Sequence, residues 1–515
     1  MKEVPAIMKI LRTAALLLLS LCVLPVSVLG EATEDYTVSY DGITTGIVNA
    51  RTAVHDPSII AVDGRYYIFG SHMAAAYSDN LRGWNRMANG YQPDNPVWGN
   101  LFAEGSHVFD WTGSRDSVIP TDDGGTHVWA PDVIWNPVME KYMMYYCVSS
   151  TWNASALCFG LSDTIEGPYE WQATLICSGF DKNNIGQSNV YETVDENWAK
   201  KYFTLAGGYD YSKWPNAIDP ALFYDADDRL WLVYGSWSGG IFLLELDPAT
   251  GLVIHPEAAD GVDPYFGRHL FGGNHQSMEG PYIEYDAEAG YYYLFVSYGA
   301  LQAHGGYQIR VFRSESPEGP YLDMNGEQPN RRGGHANFGL KLSGNYMLPS
   351  VRTAYMATGH NSALIDTDGR RYLCYHSRFA NGSENFLPIV KQYALNAEDW
   401  PCVLPYATRG ETLSDGWTVA DAEGRWYVIN QGTAISDEIA EPVIYYLRAD
   451  GSVGAAEGDA GTWSVEEGTH FLTLTLGGIA YSGVLCRMQD DGGNEVTVFS
   501  AVGANQSVWG VKYGE

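Results

Sequence analysis

The sequence predicts an all-β protein, a five-bladed β-propeller followed by a small C-terminal β-barrel or sandwich. Three observations lead there. Short apolar runs rich in Val, Ile, Tyr and Phe, broken by Gly, Asp and Asn turns, recur along the chain, while long amphipathic helical patterns are nearly absent. One unit, with a short polar start, an apolar stretch, a tight turn and an aromatic strand, is found five times. Past about Leu395 that unit stops, and alternating strands closed by Gly-rich turns take over.

In chain order, the N-terminus comes first. Lys9 and Arg12 precede an apolar run over residues 14–24, and small residues follow toward Gly30 and Ala32. This reads as an export signal over residues 1–32, too short to span a bilayer, with Met8 opening the better-shaped version. Leu21 before Cys22 is not the small residue that a lipoprotein signal requires. The five repeats are HDPSIIAVDGRYYIFGSH from His55, WAPDVIWNPVMEKYMMYYCVSS from Trp129, IDPALFYDADDRLWLVYGSW from Ile218, EGPYIEYDAEAGYYYLFVSYG from Glu279 and HNSALIDTDGRRYLCYHSR from His360. Intervals of roughly 60 to 90 residues leave room for two further strands per repeat, which gives four-stranded blades. The propeller is expected over residues 33–398 and the barrel over 399–515, with the boundary between Asp399 and Trp417.

Charge narrows the partners. With 62 acidic against 30 basic residues the formal charge is −32, so nucleic acid and anionic membrane surfaces are repelled while a neutral polysaccharide is not. Most of the 16 Trp and 36 Tyr are expected to pack the β core, and a few at a rim would suit the CH faces of sugars. The cysteines after Cys22 are few and scattered through apolar stretches, so buried thiols are expected, with Cys147 and Cys158 the one pair placed to bridge across strands. A monomer is expected.

The chemistry lies at the repeat starts, because the innermost strands of a propeller line one channel and bring those positions together. Aligned, they are His55-Asp56, Trp129 with Asp132 three places on, Ile218-Asp219, Glu279-Gly280 and His360-Asn361. Asp56, Asp219 and Glu279 thus face one cavity. Breaking a glycosidic bond takes a protonated carboxylic acid on the leaving oxygen and a carboxylate across the ring, and a third carboxylate nearby keeps the acid's proton on. A lone Asp-Pro is often only a turn former, but three acids in register within one repeat are harder to dismiss. Asp132 follows its proline, so its side chain is expected to point elsewhere, in a hydrogen-bonding role at the blade entry. His360 is either a core histidine or a neutral imidazole holding a cation with waters. No HExxH, P-loop or paired CxxC is present, and Gly235–Gly240 does not form a nucleophile elbow.

At these residues the chain resembles glycoside hydrolase family 43 and, within it, the endo-acting arabinanases. HDPSII, WAPDV, SALCFGLSDTIEGPY, PNAIDPALF, YGSWSGGI, SMEGPYI and GHNSALI occur in the family's order over nearly the whole mature chain. The resemblance implies an inverting, secreted hydrolase of α-1,5-L-arabinan. In it Asp56 is the general base, Asp219 modulates and orients the acid, and Glu279 is the general acid. It further implies that His360 is a ligand of a largely water-coordinated calcium ion and that Asn216, Ser236 and Trp237 contact sugar, with Trp129 at the rim. Cys158 stands where a family glycine is expected and Ser238 where an aromatic is common. The C-terminal part resembles the extra barrel of the larger extracellular arabinanases. The alternatives are an exo-acting arabinofuranosidase or β-xylosidase of the same family, a non-catalytic sugar-binding propeller and a fructan-processing propeller.

Overall fold

The computed structural model describes residues 34–90, 94–99, 107–112, 127–149 and 154–514. The predicted export signal lies outside them. Among the described residues no helix is long and apolar enough to cross a membrane.

The repeats become antiparallel sheets built in chain order. The first pairs Ser58–Val62, Arg65–Gly70, Ala74–Ser78 and Asn85–Ala88. Its first hairpin turns on Asp63-Gly64, both at positive φ (51° and 77°), the two-residue turn whose twist matches the flanking strands. The second runs from His127–Asn136 to Glu170–Ser178, the third from Ala221–Tyr224 to Gly267–Phe271, and the fifth from Tyr355–Ile365 to Pro401–Val403. These are separate sheets. The fourth run, from Met278–Asp286 to Leu340–Ser343, merges with the C-terminal strands through a parallel bridge of Lys341 with Gln506.

Successive side chains of a strand point to opposite faces, so one strand feeds two cores. In Lys141–Ser149 of the second run, Met144 and Tyr146 pack with Phe69 of the first, while Met143 and Tyr145 pack with Leu222 and Leu232 of the third. Val233 of the third meets Ile283 and Leu294 of the fourth. Phe295 of the fourth then meets Leu373 and Tyr375 of the fifth, and Tyr372 and Cys374 of the fifth meet Ile59 and Ile68 of the first. The arrangement is propeller-like, as the all-β reading expects.

The same alternation rules out a Cys147–Cys158 bridge. Tyr146 stands opposite Cys158 and Cys147 opposite Leu157, so the two thiols face different cores, and both are free. The C-terminal strands, from Gly424–Asn430 to Gln506–Tyr513, each pair with the next, and the last pairs back to the first. This is a closed eight-stranded barrel filled by Trp426, Leu474, Leu485 and Phe499.

Candidate active site

Each run begins with a kink that aims its first residues at a common centre. In the second, fourth and fifth runs the pairing register slips around residues 130–131, 280–281 and 360–361, the signature of β-bulges, which re-aim side chains. Asp56, Ala130, Asp219, Gly280 and His360 all sit in the left-handed region, at φ 52°, 40°, 57°, 55° and 49°. Such strain persists only where the surroundings impose it. These five residues line a central cavity of about 20 Å³, space for a single water-sized body.

That geometry corrects the sequence alignment by one place. His360, not Asn361, takes the position of Asp56 and Asp219, and Glu279 stands one residue before that position. Side-chain space explains the offset. A Cβ on Gly280 would lie 3.0 Å from the His360 ring, so the fourth run has no room for a side chain at the bulge and carries its carboxyl on the preceding residue.

Asp56 is buried in a cage of donors. The Ser71 hydroxyl donates to Oδ2 at 2.5 Å, and His360 Nδ1 lies 3.1 Å from Oδ1. His55 Nδ1 is 2.8 Å from Oδ2, off the line of a hydrogen bond, and its ring stacks on His376 at 3.9 Å. The Asp56 N–H donates to His376 Nδ1 at 3.3 Å, which makes that nitrogen the unprotonated one, and burial holds His376 well below the usual histidine range. Burial pushes the Asp56 carboxyl up, but His360 and His55 together outweigh it and hold it well below the usual carboxylate range. Asp56 is therefore an anion at neutral pH. His55, Asp56 and His376 also form a grouping of potential metal-ligand atoms within 4.8 Å of one another, and His360 stands beside it rather than in it.

Glu279 has the opposite character. Burial first, then the charge of Asp219, raises its carboxyl to about 7. Trp237 Nε1 donates to Oε2 at 2.7 Å, Ser236 Oγ reaches the same oxygen at 3.3 Å, and the Tyr307 hydroxyl donates to Oε1 at 2.8 Å. An indole N–H can only donate, so Oε2 accepts from Trp237, while the Tyr307 hydroxyl at Oε1 can donate to an ionised carboxyl or turn to accept from a protonated one. Asp219 accepts the Gly280 N–H at 3.1 Å and so grips the backbone next to Glu279. Its own carboxyl is raised to about 8, by burial and then by Asp56.

The remaining expected residues fall around this centre. Asn216 is buried, and its carbonyl accepts the Ile218 N–H at 2.9 Å, which shapes the turn into Asp219. The Trp129 ring meets His72 edge-on at 4.7 Å. Asp132 has the hydrogen-bonding role expected of it, and the structure adds that it ties three runs together, accepting Ser58 Oγ at 2.5 Å and the Leu222 N–H at 2.6 Å, with burial raising it to about 6. Both polar side-chain atoms of Asn361, which also lines the cavity, are buried with no hydrogen-bond partner among the described residues.

Glu279 is half-buried and stands outside the lining of the small central cavity, next to Gly280, which does line it. A buried carboxylate at Asp56 and a carboxyl raised to about 7 at Glu279 suit glycosidic cleavage, and the comparisons agree. The description "Glycosyl hydrolases family 43" matches residues 47–401. The chain belongs to that family. A second description, "C-terminal lipocalin-like domain", matches residues 405–510. An extracellular endo-α-(1→5)-L-arabinanase of Thermotoga petrophila is 38% identical over 90% of this chain and 94% of its own. Extracellular endo-α-(1→5)-L-arabinanase 2 of Bacillus subtilis is 35% identical, covering 90% and 93%. The crystal structure of the T. petrophila endo-1,5-α-L-arabinanase with TRIS superposes with TM-score 0.77 at 36% identity, covering 90% of this chain and 98% of that one.

In this family 43 hydrolase several functional contacts escaped sequence reasoning. Ser71 and His376 sit inside the quoted repeats, in FGSH and YHSR, but nothing in one sequence says that both point at Asp56. Tyr307 lies outside every repeat and gave no signal. Its partner did leave one, because Gly359 precedes His360: a Cβ there would sit 2.3 Å from the Tyr307 ring.

Proposed function

We propose that this chain is an exported endo-acting arabinanase that hydrolyses internal α-1,5-L-arabinofuranosidic bonds with inversion. The observation that carries this reading is the likeness to two endo-arabinanases over nine tenths of the chain, barrel included. The five strand runs are then the blades of a five-bladed propeller, and the connection after Val403 leads into the barrel.

In the mechanism, Asp56 takes a proton from the water that attacks one face of the sugar while Glu279 gives its proton to the leaving oxygen on the other. Asp219 holds the Gly280 backbone, and because it and Glu279 are both raised, to about 8 and about 7, the two disfavour ionising together and the pair retains a proton at neutral pH. Trp237 and Ser236 fix Oε2 and border the sugar, with Asn216 and Trp129 as further contacts. Linear arabinan should lose viscosity early and give arabino-oligosaccharides before arabinose, with inverted configuration in the first product by proton NMR. Arabinose as the sole early product would replace the endo reading with the exo one.

The pH profile follows from the two acids. Glu279 must be protonated, so kcat/KM is expected to fall as pH rises through about 7. Asp56 must be ionised and stays so to well below the usual carboxylate range, so the acid limb should lie lower than that of an ordinary aspartate. A kcat/KM that climbs between pH 7 and 9 would reverse the assignment of acid and base.

A calcium ion fits the channel residues. If His360 donates Nδ1–H to Asp56, its Nε2 is left with a lone pair, as metal-bound histidines usually arrange, and the unpartnered Asn361 amide adds an oxygen nearby. Bound there, the ion would supply positive charge and ordered water beside the acids. Chelation or His360→Ala is expected to reduce activity far more than thermal stability. Metal-free purified protein with full activity would remove the ion from the reading.

A further inference from the structure

We propose that the mouth of the C-terminal barrel is a second sugar site, which holds one or two furanose rings of the arabinan chain away from the cleavage point. The ligand class rests on the arabinan reading above.

An eight-stranded barrel is just wide enough to be filled by its side chains or to hold one small ligand. Here the side chains do not fill it to the end. At the end where Gly424–Asn430 finishes and Val443–Leu447 begins, a cavity of about 260 Å³ remains. Val428, Val508 and Tyr481 are its most buried walls, and Asn430, Tyr445 and Ile479 stand farther out. Trp426, two residues before Val428 and so on the same face, packs with Phe499 at 5.0 Å one layer deeper, which makes the cavity a cup rather than a pore.

The lining selects the ligand. It contains no charged side chain to pair with a desolvated ion of either sign, and the chain's net charge of −32 further disfavours anions, so a neutral occupant fits it best. Asn430 spends its carbonyl oxygen on the Gly432 N–H at 2.8 Å and turns its amide nitrogen to the Tyr481 hydroxyl at 3.4 Å. That hydroxyl therefore accepts from Asn430 and keeps its own proton to donate. An apolar floor, two tyrosines and one amide match a ring with a CH face and a hydroxyl edge. The volume falls just short of the roughly 300–1,000 Å³ of drug-sized sites, which suits one or two furanose rings better than a longer chain.

The cup is rigidly tied to the catalytic run. Beyond Asn430 the backbone reaches Thr433 and Ala434, whose carbonyls accept from the buried Arg310 and from Gln308 Nε2 and Lys341 Nζ, respectively. Ser436 packs on Gly306, the neighbour of Tyr307. A polymer held at the cup and at Glu279 gains effective concentration that a short oligosaccharide cannot gain.

Calorimetric titration of the Glu279→Gln chain with α-1,5-arabinotriose should show two sites, and adding Val443→Arg at the half-exposed rim should leave one. Val443 is 50% exposed, so this change leaves the core intact, and Tyr445→Ala serves as the second variant. In the otherwise wild-type enzyme either change should raise KM on long linear arabinan by about tenfold and leave kcat/KM on arabinotriose unchanged. One site in the Glu279→Gln chain, or two sites indifferent to both variants, overturns the proposal while arabinan hydrolysis by the wild type still stands. If the wild type does not hydrolyse arabinan, the substrate reading falls and takes this ligand class with it.

Discussion

Glu279→Gln and Asp56→Asn are each expected to lower turnover of linear arabinan by about 10²- to 10⁴-fold, the range of a positioned general acid or base. The two losses should differ in kind. In Glu279→Gln the new amide would still offer an oxygen to Trp237 Nε1 and a group to the Tyr307 hydroxyl, so folding and substrate affinity should survive while the proton donor is gone. A substrate with a good leaving group, which needs little protonation, should then recover much of the lost rate in Glu279→Gln but not in Asp56→Asn. The base variant should also be less stable at neutral pH. A carboxyl held below its unfolded pKa contributes stability that is present above the unfolded value and lost as pH falls through the folded one, and Asp56 is such a group. Asp56→Asn removes that contribution at pH 7. Either variant retaining a tenth of wild-type turnover would sink the assignment.

Gly280→Ala, a change of one methyl group that removes no catalytic atom, is expected to cost on the order of a hundredfold in kcat. The new Cβ would lie 3.0 Å from the His360 ring on a backbone at φ 55°, where an L side chain costs about 1–2 kcal/mol before any clash is counted. His360 can yield only by moving off Asp56, to which its Nδ1 is 3.1 Å away, and the Gly280 N–H that Asp219 holds sits at the same strained residue. Base, orienting carboxylate and acid should all be displaced together. The melting temperature should fall by a few degrees while activity collapses. Turnover within threefold of wild type would show that the His360 ring has slack and that the glycine is not set by it.

These two cases mark where the sequence was legible. Asp56, Asp219 and Glu279 could be found because an acid beside Pro or Gly-Pro at the start of a repeated strand is a local pattern, and the repeat itself implies a shared axis. The place of His360 was misjudged by one residue, since the bulge that sets its register leaves no mark in the amino acids of GHNS. Trp237 and Ser236 were expected at the sugar, yet both also hold Oε2 of Glu279, a contact between residues more than forty positions apart. Cys147 and Cys158 looked able to pair until strand register put them on opposite faces.

The sequence by itself determined the all-β class, the repeated unit, the C-terminal strands and the three carboxyl groups, because periodicity, turn chemistry and repetition are all written within a few tens of residues. Only the tertiary structure decided which carboxyl keeps its proton. That difference arises from groups brought in over long distances: Ser71, His360 and His376 around Asp56, and burial with Asp219, Trp237 and Tyr307 around Glu279. A carboxyl's protonation is set by the dielectric and by the donors within a few ångströms of it, and neither quantity exists until the chain has folded.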